Sequence, residues 1–322
     1  MIRFFDKANY DFLGVRTFAY AATALVALAG LVDLVVRGIE YSIEFTGGAL
    51  IQIHAMDPSI TIGGIRGALA ARGIRGVELS TFGTESDFVL RAPITPGVAG
   101  GGVEETRRAV DSTLAGAFGA GSYRTDQGQA ISPKVGGELR RKALIAVLLS
   151  FAATAIYLTF RFEWRFGIAA TLATAHDIIL TIAFISLMRI EISLLAIAAV
   201  LTIVGYSLND TIIVFDRVRE NLRKYKRAQI YDILNRSVNE VLPRAVLTHG
   251  TTVAATMALL IFGGAVIRDF AWIMTFGVVT GTFSSVYIAS PVLLAIEHKW
   301  PGEDVHGTRA VSPAGHRAPQ AG

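Results

Sequence analysis

The chain has 322 residues, 52% hydrophobic and 17% charged, with a formal net charge of +4 and a mean hydropathy of +0.49. Soluble domains run about 45–50% apolar and about 25% charged, so the composition leans toward a membrane protein. The lack of cysteine excludes disulfides and thiolate metal sites, and the small positive charge makes no case for nucleic acid as a partner.

Residues 1–14 carry Arg3 and Lys7 and lead into a first apolar run, Val15–Val36. That run is preceded by Phe4, Phe5 and Asp6 and lacks a small-residue cleavage site, so it reads as a membrane span and not as a cleavable signal peptide. Residues 37–141 have a different pattern. Ala49–His54 alternates as a strand, Ile62–Ala71 reads as a helix, and Val77–Phe82 and Asp87–Leu90 as strands joined by Gly-Thr-Glu-Ser. Val103–Phe118 is an amphipathic helix and Ser122–Ile131 a last strand. The order βαββαβ predicts a small α+β, ferredoxin-like domain. Gly63-Gly64 and Gly97–Gly102 lack a phosphate-loop lysine and read as turns, and His54 reads as a strand residue facing solvent.

Five further apolar runs follow: 142–160, Phe166–Met188, Ile192–Phe215, Ala245–Ile267 and Phe270–Ile296. Each is long enough to cross a hydrocarbon core of about 30 Å as a helix. The expected fold is therefore an α-helical integral membrane protein of six transmembrane helices, with the α+β domain between the first two. The tail, residues 297–322, reads as disordered from its Pro, Gly and Ala content. Basic residues gather before span one, between spans two and three, and in the loop 216–244, whereas Arg189–Glu191 and Arg268–Asp269 are short connectors with balanced charge. The positive-inside rule then puts both termini in the cytoplasm. In a bacterium the α+β domain would be periplasmic. The basic run after Asp216 reads as an anchor to membrane lipid.

Ionisable residues inside these spans carry the functional signal. Asp210 lies in Gly205-Tyr206-Ser207-Leu208-Asn209-Asp210-Thr211, and Arg244 opens span five. A charge at the centre of a membrane helix costs roughly 2.5–3.5 kcal/mol on insertion scales. With a rise of 1.5 Å per residue, Asp210 lies about 9 Å and Arg244 about 6 Å inside, so adjacent antiparallel helices would bring them within reach of an ion pair. Protonation of Asp210 would remove a charge and break that pair, which a proton-coupled switch requires. A fixed pair that only locks two helices is the plainer alternative. Span three holds His176-Asp177, two neighbours about 100° apart on a helix, of which one need face the interior. His249 reads as polar packing, and Gly205, Gly263, Gly264, Gly277 and Gly281 as close helix contacts. The polar set also includes Asn209 and, in span six, Ser284 and Ser285. Neither Gly-x-Ser-x-Gly nor His-Glu-x-x-His occurs, so an enzyme is not expected.

The chain resembles the SecF family, the smaller membrane subunit of the bacterial SecDF complex, over nearly its whole length. The resemblance rests on Phe45-Thr46-Gly47-Gly48, Val135-Gly136-Gly137-Glu138-Leu139, Ala175-His176-Asp177, and Val204–Thr211 running on to Phe215-Asp216-Arg217-Val218-Arg219-Glu220-Asn221. It implies half of a resistance-nodulation-division-type bundle in the inner membrane. It also implies SecD as partner, with the SecYEG channel, YajC and translocating preproteins beyond it. The proton motive force would drive late preprotein translocation, with protons as the coupling ion and no other cofactor. ATP would be consumed by SecA. The family's proton path maps onto Asp210 and Arg244, with Asp177, Asn209 and His176 as further candidates. Phe45, Thr46, Gly47 and Gly48 would form a hinge at the base of the domain. Two other readings stay open: a proton-coupled exporter of small molecules or lipids, and a membrane-anchored scaffold or chaperone.

Overall fold

A computed structural model of the chain describes residues 9–74, 76–82, 84–93, 103–131 and 133–301. The expectations for the glycine run 97–102 and for the tail beyond Pro301 lie outside these residues.

The first helix, α1 (Arg16–Arg37), stops at Gly38, whose φ of +75° suits glycine and whose N–H closes on Leu34 O at 3.0 Å. A one-turn helix, α2 (Ile43–Thr46), leads into the α+β domain. Strand β1 (Gly48–Ala55) has alternating burial, with Ala49, Ile51, Ile53 and Ala55 inward. These side chains meet Ile65 and Leu69 of α3 (Ile62–Ala71) and Val110 and Leu114 of α4 (Val103–Phe118). Each Leu or Ile buried there contributes about 1.5–3 kcal/mol. Strands β2 (Glu78–Phe82), β3 (Thr84–Pro93) and β4 (Tyr123–Ile131) complete an antiparallel sheet in the order β2-β3-β1-β4. That is the ferredoxin-like arrangement expected from βαββαβ. His54 is less solitary than it reads in the sequence: its Nδ1 lies 2.6 Å from Asp87 Oδ1 across the β1–β3 pair.

The rest of the chain is helical: α5 (Pro133–Arg161), α6 (Trp164–Leu187), α7 (Leu194–Lys224), α8 (Ile230–Phe262) and α9 (Gly264–Ser284). A π-helical turn, Ser285–Ala289, then joins α9 to α10 (Ser290–Lys299). Among the described residues, six helical segments are thus long and apolar enough to cross a membrane, the last formed by α9, the π turn and α10 together. The helices α6, α7 and α9 are the most buried, while α1, α5 and α8 keep large apolar surfaces outward.

Several boundaries differ from the sequence expectation: α5 begins at Pro133, inside the segment expected to belong to the α+β domain, and α10 carries helix to Lys299, into the expected tail. Most of the basic segment 216–244 is helix, because α7 runs on to Lys224 and α8 begins at Ile230. The reversal between the fifth and sixth spans falls at Gly263-Gly264, where Gly264 has φ +72°, and not at Arg268–Asp269. These two glycines stand at a turn instead of a helix contact, and the left-handed angle at Gly264 is one that glycine adopts without strain. Gly205 also has open space where a Cβ would sit. Gly277 and Gly281 do pack closely, against Ile203 and Ser207 of α7.

The α+β domain is tied to the bundle at its root. Residues 40–42 pair with Ile192, which donates from N to Glu40 O at 2.8 Å and accepts from Ser42 N at 3.1 Å. Glu44 Oε2 accepts from Leu194 N at 2.6 Å, placing a carboxylate on the first turn of α7. Gly47 has φ +86°, and a Cβ on Gly136 of α5 would stand 2.6 Å from Phe45 O. Phe45 itself is buried. The Phe45–Gly48 segment therefore packs against α5 and runs into β1, with its one left-handed backbone angle at Gly47.

A second seam joins β2 to the same face of the bundle. Burial pushes the half-buried Glu191 carboxyl up to about 8; the hydrogen bond and charge of Glu78 and the charge of Asp269 act the same way, and Arg91 opposes them. A carboxyl raised in this contact favours docking fully below its ordinary value of 4.5 and loses that contribution as pH rises through 8. Hydrogen exchange in β2, corrected for its intrinsic pH dependence, is expected to be slower at acidic than at alkaline pH. Glu191→Gln should flatten that difference; an unchanged profile in the variant would rule out Glu191 as its source.

Candidate functional site

The helices α6, α7 and α9 bring two carboxylates into an apolar interior. Asp177 on α6 is 1% exposed and Asp210 on α7 is 5% exposed. Asp177 Oδ2 accepts from the hydroxyls of Ser207 on α7 and of Ser284 on α9, the latter at 2.7 Å. Its Oδ1 lies 3.0 Å from Nδ1 of the adjacent His176. Asp210 Oδ2 accepts from Ser285 Oγ at 3.0 Å, and its Oδ1 lies 2.9 Å from His249 Nε2 on α8. Each carboxylate thus has one imidazole and at least one hydroxyl beside it.

The expected Asp210–Arg244 pair does not form; His249 takes that place, and Arg244 is exposed on the outer surface of α8. Helix register explains the change. Asn221 Nδ2 donates to Ser237 Oγ at 3.0 Å, Arg217 Nε donates to Glu240 at 2.7 Å, and Tyr206 Oη donates to Thr252 Oγ1 at 2.8 Å. These contacts run in antiparallel step along α7 and α8, and that step sets Asp210 level with His249 while Arg244 falls about a turn nearer the end remote from the α+β domain. Five residues also turn a helix by about 140°, so Arg244 and His249 cannot both face Asp210. Asn209 is exposed as well, about 100° around α7 from Asp210.

His249 is 7% exposed, with the Tyr206 ring edge-on at 5.4 Å between centroids. Its approach to Asp210 is close, yet neither ring nitrogen is aligned as a hydrogen bond. The Nε2 of His176 is likewise buried without a partner. One buried and one partly buried imidazole with open nitrogens, beside two buried carboxylates, form the donor and acceptor set that proton transfer uses. Among the described residues, no three His, Asp or Glu side chains converge as metal ligands.

Of the five sequence candidates, the structure gathers Asp177, His176 and Asp210 and leaves Asn209 and Arg244 outside. The hydroxyls of Ser207, Ser284 and Ser285 belong to the site, and their place next to carboxylates is a tertiary fact. His249 offered a stronger signal, being a second ionisable residue within span five.

Comparison with known proteins gives a consistent relationship. Residues 112–299 match the family model described as "Protein export membrane protein SecD/SecF, C-terminal". The chain is 48% identical to a protein translocase subunit SecF of Gemmatimonas aurantiaca, over 99% of this chain and 96% of that one. It is 37% identical to a SecF of Desulfurispirillum indicum, covering 88% and 90% of the two chains. It superimposes on the crystal structure of SecDF, a translocon-associated membrane protein of Thermus thermophilus, with a TM-score of 0.76 and 34% identity, covering 92% of this chain and 40% of that longer one. A super-membrane-facing form of SecDF matches with a TM-score of 0.69 at the same identity, covering 91% and 39%. Sequence over full length and fold together show a multi-pass membrane protein that belongs to the SecF protein translocase subunit family.

Proposed function

We propose that this chain works beside a SecD-type half-bundle as the subunit that couples proton entry at Asp210 to late preprotein translocation. The observation that carries the reading is the Asp210 carboxylate, buried in the bundle between His249 and Ser285. A carboxylate in that setting is costly to keep for packing alone, and protonation changes its charge and its pairing together. Asp177 supplies a second titratable group on α6, joined to α7 through Ser207. The α+β domain is the natural output, because its root is fastened to the first turn of α7 by Glu44. A change in the set of α7 reaches that root directly.

The SecD partner is supported by the outer surface of α7 and α8. Asn209, Arg244, Thr248 and Thr251 are all exposed there, and polar groups within a membrane are favoured against another helix or a water-lined path, not against lipid. The SecDF chain continues well beyond the part this chain covers, as a covering half-bundle requires. In that assembly Arg244 would act from the interface, approaching Asp210 only if α8 turns. The proposed setting is the bacterial inner membrane, with both termini cytoplasmic, the α+β domain periplasmic, and the SecYEG channel and emerging preproteins nearby.

The test is precursor processing in cells depleted of the native subunit and supplied with wild type or Asp210→Asn, both shown to assemble equally. Unprocessed precursor is expected to accumulate with the variant. Normal processing would reduce Asp210 to a packing residue and favour a passive scaffold.

A further inference from the structure

The sixth span changes its winding where it meets the two carboxylates. Ser284 and Ser285, neighbours in sequence and both fully buried, serve different helices: Ser284 donates to Asp177 on α6 and Ser285 to Asp210 on α7. The π-helical turn begins at Ser285, and Ser290 Oγ donates to Ser285 O at 3.1 Å, five residues back. Such turns are uncommon and recur at functional sites. Ser285 Oγ also lies 2.9 Å from Thr282 O. A serine carries one hydroxyl proton, so it can serve Asp210 Oδ2 or the Thr282 carbonyl, but not both at once.

We propose that Ser285 is a positioning residue for proton transfer at Asp210, a hydroxyl that changes acceptor when the carboxylate changes charge. While Asp210 is ionised, Ser285 donates to Oδ2. When a proton binds, a new O–H bond forms on the carboxyl, the serine's own O–H bond stays intact, and its hydrogen turns to Thr282 O. The serine oxygen is then free to accept from the neutral acid. The change of charge on α7 thereby becomes a change of hydrogen bonding in the π turn, the loosest-wound part of the sixth span, while Ser284 keeps the same span attached to Asp177. The groups facing Asp210 are His249 from α8 and Ser285 from the sixth span, with Asp177 and His176 of α6 reached through Ser207 one turn along α7. This inference rests on the proton-coupled reading above.

The experiment measures the pH profile of proton-driven translocation by the assembled complex in inverted vesicles, for wild type, Ser285→Ala, Ser285→Thr and Asp210→Asn. A donor to the charged form favours that form. Ser285→Ala is therefore expected to keep substantial activity with its profile displaced toward the alkaline side by about one pH unit. Ser285→Thr, which restores the hydroxyl, should return the profile to that of wild type. A Ser285→Ala profile superimposable on wild type, with Asp210→Asn inactive, would overturn the serine proposal alone. Full activity of Asp210→Asn would overturn the underlying reading with it. If Ser285→Ala does not assemble, Ser285→Cys keeps the size and weakens the donor; a smaller displacement in the same direction supports the proposal, and none overturns it.

Discussion

Arg165→Ala is expected to destabilise the helix bundle by about 3–5 kcal/mol, the usual cost of removing one partner from a buried ion pair. Arg165 opens α6 at the end remote from the α+β domain. Its Nη1 donates to Glu297 Oε2 of α10 at 2.9 Å, and its other amine reaches Glu163. Glu297 is 3% exposed, so loss of the guanidinium removes a cationic partner from a carboxylate buried beside Phe166, Leu293 and Leu294. Arg165→Lys should recover only part of the loss, because an ammonium lacks the planar fork whose separate nitrogens reach Glu297 and Glu163. The double variant Arg165→Met, Glu297→Leu should be close to wild type in stability, since an apolar pair of similar size replaces both charges. Thermal unfolding of the purified complex in detergent reads all three. Equal stability of Arg165→Ala and wild type would mean that α10 is held by its apolar contacts alone.

Asp177→Asn is expected to reduce proton-driven secretion about a hundredfold, the lower end of the range for loss of a proton-transfer group, while leaving the complex assembled. Asp177 ties three helices through Ser207 and Ser284, with His176 at its other oxygen. Interhelical hydrogen bonds in membranes average about 0.6 kcal/mol each. Asparagine keeps the shape and one acceptor oxygen, so its effect on packing stays near 1 kcal/mol on that scale. Asp177→Ala should lose the same activity and more stability. Normal secretion with Asp177→Asn would make Asp177 a structural knot and confine the chemistry to Asp210.

The parts of the fold that follow from local pattern were legible in the sequence. The alternation of Ala49–His54 marks β1, the apolar face of Val103–Phe118 marks α4, and four of the six long apolar runs are continuous helices. Asp210 was legible for the same reason: a charge in an apolar run stands out without knowledge of its neighbours. Its partner was not. Choosing between Arg244 and His249 requires the register of α7 against α8, which Asn221, Ser237, Arg217 and Glu240 fix through contacts between distant segments. Counting depth from charged residues at the helix ends measures each helix by itself and does not fix that register. The π turn has no sequence signature of its own, so the sharing of Ser284 and Ser285 between two carboxylates appears only in three dimensions. Gly263-Gly264 carried a turn signal, but the apolar residues around it disguised the reversal as span.

The most direct test of the coupling role of Asp210 uses a translocation intermediate already beyond the ATP-dependent step, in inverted vesicles containing the assembled complex. A proton gradient is imposed, and forward movement of the preprotein is followed with wild type and with Asp210→Asn at matched incorporation. Wild type should move the preprotein in proportion to the gradient, while Asp210→Asn should leave it stalled whatever the gradient. Equal gradient-dependent movement in both would contradict the account.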